Sequence, residues 1–277
     1  STVYNFNLAK FNEAGYGKNI KIVDEEYIGF NKKNDEFDIS DKKDTLIKSC
    51  ILFSGIKKNY QSIQFINKKA YHNPLMITVA NTVNIKNADL KLYFRTLIEV
   101  AKEKPSNFEL LKQELIQKLF NNKEYIFGDE EINNSFLDSL ENISYEDVLK
   151  NVFNSNSTGT IECKKTASKD EILFKIKTSS ESSYFGLLKI SDISSWSNGI
   201  LYDYDITEDL DDIGYFDSIN EKDSSINILM GSKIFSEGLD SNRPNVINFL
   251  NIGSKDARKY VMQTIGRGVR IEPMPNL

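Results

Sequence analysis

Residues 226–270 read INILMGSKIFSEGLDSNRPNVINFLNIGSKDARKYVMQTIGRGVR. The runs at 226–230 and 246–251 are apolar, short and bounded by polar or turn-forming residues, so they read as strands. Helical spacing follows from about Lys255 toward Gly266. Strand, loop, strand and helix in this order argue for a parallel α/β sheet with helices on both faces.

Working outward, Leu75-Met76-Ile77-Thr78-Val79-Ala80 is a continuous apolar run after Asn73-Pro74. Such a run is the pattern of a strand buried on both faces, as parallel sheets require. Leu90, Phe94, Leu97 and Ala101 then recur at helical spacing, widened by Tyr93 and Val100, until Pro105 stops the helix. Ser106 and Glu109 form a capping-box pattern for a second helix through Phe120. Further helices are expected at 42–55 and 145–153, and further strands at 19–23, 171–176 and 184–190. Asn, Asp and Glu crowd 121–145, which reads as a surface insertion reaching to about 160. Residues 203–223 hold nine acidic side chains and one lysine, the pattern of a solvated connector. The organisation expected is an N-terminal extension over 1–72 and a main α/β domain over 73–277.

Composition narrows the chemistry. With 40% hydrophobic and 27% charged residues in 277, the chain has enough apolar material for a substantial core. No apolar run approaches the roughly 20 residues of a spanning helix, so a cytoplasmic protein without membrane partners is expected. His72 is the only histidine, and Cys50 and Cys163 are the only cysteines. Histidine triads, histidine metal clusters and a disulfide framework are thereby excluded, and no metal ligands are assigned. The net charge of -5 argues against a protein that merely coats nucleic acid. Arginine is scarce, yet Arg243, Arg258, Arg267 and Arg270, four of five, fall in the last 35 residues. A rigid guanidinium fork suits phosphate oxygens better than a mobile ammonium, so this clustering suggests phosphate recognition.

Two patterns resemble functional sites and fail on spacing, and a third matches only half of one. Gly15-Tyr16-Gly17-Lys18 lacks both the earlier glycine and the following hydroxyl of a phosphate loop, since Asn12 and Asn19 stand there. Ile20-Lys21-Ile22-Val23-Asp24-Glu25 looks like a strand delivering an acidic pair, but it begins too close to that false loop for a βα unit. Glu162-Cys163-Lys164, with Asp147 upstream, has the Glu-x-Lys half of a metal-dependent nuclease centre. Such a half-motif arises often by accident, and an exposed strand of alternating charge explains it more simply.

Two motifs near the C-terminus carry more. Strand 228–230 runs into Ser232 and Lys233, then Glu237-Gly238-Leu239-Asp240, with the hydroxyl eight residues before the aspartate. Gln263-Thr264-Ile265-Gly266-Arg267-Gly268-Val269-Arg270 follows after one strand and one helix start. These stretches resemble motifs V and VI of superfamily 2 helicases, and the resemblance implies ATP chemistry, in which negative charge on the departing γ-phosphoryl oxygens is stabilised by arginines from a neighbouring domain. Arg267 and Arg270 have that chemistry and sit three apart. By the same resemblance Gly238 would permit close backbone approach, Asp240 would accept from ribose hydroxyls, and Ser232 would donate to a nucleic-acid phosphate.

Residues 73–80 resemble motif IV of the same helicases. More narrowly, YFGLLKISDISS at 184–195, the stretch 226–270 and the opening at 4–22 are similar to the restriction subunits of type III restriction-modification enzymes. That resemblance implies a second RecA-like motor domain with 1–72 as connector from a first one. It implies arginine fingers at Arg267 and Arg270, and nucleotide contacts at Gln263, Gly238, Asp240 and Gly266. DNA-phosphate contacts are implied at Ser232, Lys233, Asn81 and Thr82. ATP and Mg2+ would be the cofactors of the full enzyme. Double-stranded DNA, the first RecA-like domain, a C-terminal nuclease domain and a modification methyltransferase subunit would be its partners. With no phosphate loop in the chain, a fragment inactive by itself is expected. Another superfamily 2 translocase, such as a type I restriction motor or a repair helicase, would share these motifs, and a noncatalytic DNA- or protein-docking module is the alternative of a different class.

Overall fold

The computed structural model describes residues 18, 20–21, 23, 39–68, 71–80, 89–121, 125–127, 134–178, 182–191, 193–198, 206–208, 214–231, 239–250 and 257–268. In chain order the elements are β1 (Ile20–Lys21), α1 (Ile39–Ile66), β2 (Leu75–Ala80), α2 (Asp89–Lys102), α3 (Phe108–Asn121), β3 (Tyr125–Phe127), α4 (Asn134–Glu141) and α5 (Tyr145–Phe153). They continue with β4 (Thr160–Lys165), β5 (Glu171–Lys177), β6 (Gly186–Lys189), α6 (Ile193–Asn198), β7 (Ile206–Glu208), β8 (Ile228–Gly231), β9 (Pro244–Leu250) and α7 (Ala257–Gly268).

Among the described residues seven strands form one sheet in the order β7-β4-β5-β6-β8-β2-β9, while β1 and β3 pair separately. Only β5 runs against the rest, through antiparallel ladders to β4 and β6. The strands at the heart of the sheet, β6, β8, β2 and β9, are mutually parallel. This is the mixed α/β architecture that the apolar runs imply, consistent with a RecA-like domain. The antiparallel strand departs from an all-parallel expectation for a local reason. The connection from β4 to β5 is too short to return the chain in parallel, so a hairpin forms.

Both sheet faces are covered, as continuous apolar strands demand. Met76, Phe174, Leu188 and Met230 point into a large core built with α1 to α6. Leu75, Ile77, Leu173, Leu187 and Leu229 point the other way, toward Val261 and Ile265 of α7 and toward Ile219. Within the first core, Phe94 lies 4.6 Å from Phe174 and 5.4 Å from Trp196 between ring centroids.

Several elements differ in extent from their sequence reading. α1 does not stop at Gly55 but continues to Ile66. A Cβ at Gly55 would stand 2.5 Å from Leu140 Cδ2, so the glycine serves the close approach of α4 rather than a helix end. α1, although upstream of residue 72, places Leu46, Ile51 and Phe53 in the first core. α4 and α5, within the stretch set apart as an insertion, bury Leu140, Val148 and Phe153 there too. Their Asp138, Glu141 and Glu146 lie on outer faces and Asp147 caps α5, whereas Asn151 is 2% exposed and donates to Ser54 Oγ at 3.0 Å. At α3 the Ser106–Glu109 box is replaced by another arrangement: the helix begins at Phe108, and the Glu109 carboxylate pairs with Lys104 and Lys112, each at 2.8 Å. A capping box does form on α5, between Ser144 and Asp147. No helix among the described residues is long and apolar enough to cross a membrane.

Candidate functional site

The parallel strands bring their carboxyl ends to one edge. Lys189 at the end of β6 registers with Gly231 at the end of β8, Gly231 with Val79 of β2, and Ala80 with Leu250 of β9. Loops leaving this edge are where parallel α/β sheets bind ligands, because side chains from several strands converge there. Ser232 and Lys233 directly follow β8, and Asn81 and Thr82 directly follow its neighbour β2. Their own positions, with those of Gly238 and Arg270, lie outside the described residues.

α7 carries the second group. Gln263, Gly266 and Arg267 are spaced by three and four, so they share a helix face. Gln263 is exposed, and a Cβ at Gly266 would meet none of the described residues within 4 Å. The opposite face is packed: Val261, Thr264 and Gly268 are buried, and a Cβ at Gly268 would stand 3.0 Å from Ile247 Cδ1. Arg267 Nη1 donates to the Leu239 carbonyl at 2.9 Å. Its guanidinium is thereby brought to the residue next to Asp240, whose side is exposed and whose carbonyl accepts from Asn220 Nδ2 at 2.7 Å. Of the predicted set, Arg267 and Asp240 are thus joined through one peptide, and Gln263 and Gly266 share the face of Arg267.

The arginine clustering does not have a single cause. Arg243 is 2% exposed and donates to the carbonyls of Asn73 at 2.8 Å, Ile226 at 2.6 Å, Pro74 at 3.5 Å and Ile219. It fastens the entrances of β2 and β8 to the turns at 214–223, at the amino edge of the sheet. Arg243 therefore serves backbone carbonyls rather than phosphate. Burial pushes it down to about 10. The side chain of Arg258 lies outside the described residues.

Lys18, the lysine of the false phosphate loop, also binds backbone: its Nζ donates to the carbonyls of Asn242 at 2.6 Å and Pro244 at 2.7 Å. Burial pushes this lysine down to about 8. The nuclease-like carboxylates have structural duties as well. Glu162 pairs with Lys175 across the β4–β5 ladder at 3.3 Å. Asp147 accepts from the Ser144 amide at 3.0 Å and from Lys58 at 3.3 Å. Among the described residues no three His, Cys, Asp or Glu side chains group as metal ligands.

Two polar clusters escaped sequence reasoning. Glu171, 1% exposed, accepts from Lys189 at 2.9 Å and from the Tyr215 amide at 2.9 Å, at the carboxyl edge. Lys57 reaches from α1 to Asn227 Oδ1, while Asn227 Nδ2 donates to Val152 O at 3.0 Å and Asn154 Oδ1 at 2.7 Å. Neither has a local signature, since each joins residues far apart in the chain. The class of domain is a mixed, mostly parallel α/β sheet consistent with a RecA-like fold, with Arg267 on the helix that follows its edge strand β9. Comparison with protein-family models, curated proteins and solved structures finds no match to the chain.

Proposed function

We propose that the chain supplies one wall of an ATP cleft in a nucleic-acid translocase, as the second motor domain of a superfamily 2 enzyme of the type III restriction kind. The observation that carries this reading is the Arg267–Leu239 contact, which ties the helix of one motif to the loop end of the other beside Asp240. A guanidinium fork with five donors has the capacity to hold Leu239 and a phosphoryl oxygen together.

The described residues fit a nucleotide on this wall. Among the described residues nothing stands within 4 Å of a Cβ at Gly266, which would leave room for a phosphate chain against α7. Asp240 would accept from the ribose, Gln263 and Arg267 would face the phosphates, and Arg270 would complete the pair of fingers. Ser232, Lys233, Asn81 and Thr82 would hold DNA phosphates at the carboxyl edge. Magnesium would be held by the first motor domain together with ATP, and would neutralise phosphate charge there. This chain contributes positioning and charge stabilisation, not a nucleophile.

ATPase assays test the reading. The chain alone, with ATP, magnesium and duplex DNA, should show no turnover, and addition of its first motor domain should restore it. Turnover by the chain alone that is lost in Arg270→Ala would sink the half-cleft reading. Full ATPase activity in a two-domain motor lacking both Arg267 and Arg270 would instead favour a noncatalytic docking module.

A further inference from the structure

Residues 214–223 form a chain of turns, with Ile219 N bonded to Phe216 O at 3.3 Å and Glu221 N to Ser218 O at 3.0 Å. The segment is fastened at three points. At one end the Tyr215 amide binds the buried Glu171 carboxylate, which Lys189 holds from β6. In the middle Ile219, 2% exposed, gives its carbonyl to Arg243. Beside it Asn220 points outward, and its amide crosses 20 residues of sequence to reach the Asp240 carbonyl at 2.7 Å. The preceding carbonyl, of Leu239, takes Arg267.

Two consecutive carbonyls are therefore gripped from two sides, by α7 and by this strap. Leu239 is itself buried in the second core, so the chain is pinned at one residue and aimed by the next two contacts. An exposed neutral hydrogen bond such as that of Asn220 contributes little net stability. Its consequence lies in the orientation of the peptide. We propose that Asn220 is a positioning residue: it holds the Asp240–Ser241 peptide while Arg267 holds the Leu239–Asp240 peptide, so that Asp240 is fixed from both sides and addresses the same nucleotide as Arg267. This rests on the functional reading above.

Asn220→Asp is nearly isosteric but removes the donor, Asn220→Ala removes the side chain, and Asn220→Gln keeps an amide. In the 277-residue chain, amide hydrogen exchange over 239–243 should quicken about fivefold in the Asp and Ala variants with the unfolding midpoint unmoved, and Gln should recover part of the protection. In the two-domain motor the same two variants should raise KM for ATP about fivefold and leave kcat within about twofold. Unchanged exchange overturns the positioning claim. Faster exchange with an unmoved KM overturns the nucleotide role and leaves a purely structural bond. A wild-type motor without ATPase activity sinks the functional reading and the nucleotide role together, and exchange then decides the positioning claim by itself.

Discussion

Arg267 Nη1 and the Leu239 carbonyl meet at 2.9 Å across 28 residues of sequence. The bond is half-buried and involves one charged donor, so its loss from the isolated chain should cost about 1 to 2 kcal/mol. In a two-domain motor the same residue would face developing phosphoryl charge, where an arginine finger is worth roughly a thousandfold or more in kcat. Arg267→Ala should accordingly lower kcat by at least about that factor while moving the urea midpoint of the chain only slightly. Arg267→Lys retains the charge without the planar fork and should recover little. Near-normal turnover in either variant would remove Arg267 from the cleft.

Arg243 should behave in the opposite way. It is fully enclosed and donates to four carbonyls, which Arg243→Ala would leave without their donor. Loss of a buried, charged, multiply bonded group should destabilise the chain by about 3 kcal/mol or more, and Arg243→Lys should restore only part. Equilibrium unfolding measures this directly. A shift below about 1 kcal/mol would mean that the carbonyls find other partners.

Lys57 makes stability depend on pH. Burial, reinforced by Arg243, pushes it down to about 7 from an ordinary 10.5. Between those values the unfolded chain keeps the proton and the folded chain does not, so stability rises with pH, by about 1 kcal/mol per unit. The contribution is complete above the unfolded value and is lost as pH falls toward 7. Lys57→Met should flatten that part of the slope in urea titrations between about pH 7.5 and 9.5, leaving a smaller rise from Lys18, which is shifted in the same direction. An unaltered slope in the variant would contradict the assignment.

The glycines of α7 separate fold from function. Gly266→Ala adds a methyl that meets none of the described residues on a helix and should stabilise the chain by up to about 1 kcal/mol. In the motor the same methyl should weaken ATP binding, because it occupies the side offered to phosphate. Gly268→Ala drives a Cβ to 3.0 Å from Ile247 Cδ1 and 3.4 Å from Pro244 Cβ. Any helical gain there should be offset by strain against β9. Thermal unfolding and nucleotide titration of the two variants give opposite orders if the α7 faces are assigned correctly.

Strand β2 was legible because six successive apolar side chains have only one economical solution, a strand buried on both faces. The α2 helix was legible from spacing and Pro105. Its neighbour α1 was not legible beyond Gly55, because a glycine that ends a helix and a glycine that admits Leu140 look alike in sequence. The Gln263, Gly266 and Arg267 face could be read from spacing alone. Asn220 could not, lying inside an acidic stretch with the composition of a solvated connector. Arg243 was visible as an unusual residue but was read as a phosphate ligand. Its partners are carbonyls, which carry no side-chain signature.

What the sequence determined by itself was whatever depends on period and local chemistry: apolar strands, an amphipathic helix, the relative placement of Gly266 and Arg267, and the absence of a phosphate loop. Tertiary structure alone decided that β5 turns antiparallel, that Arg243 is consumed by four carbonyls, and that Leu239 and Asp240 are held from both sides. Hydrogen bonds between distant backbone groups are satisfied only once the chain has closed on itself, and nothing in the local order of side chains records which carbonyl a buried guanidinium will find.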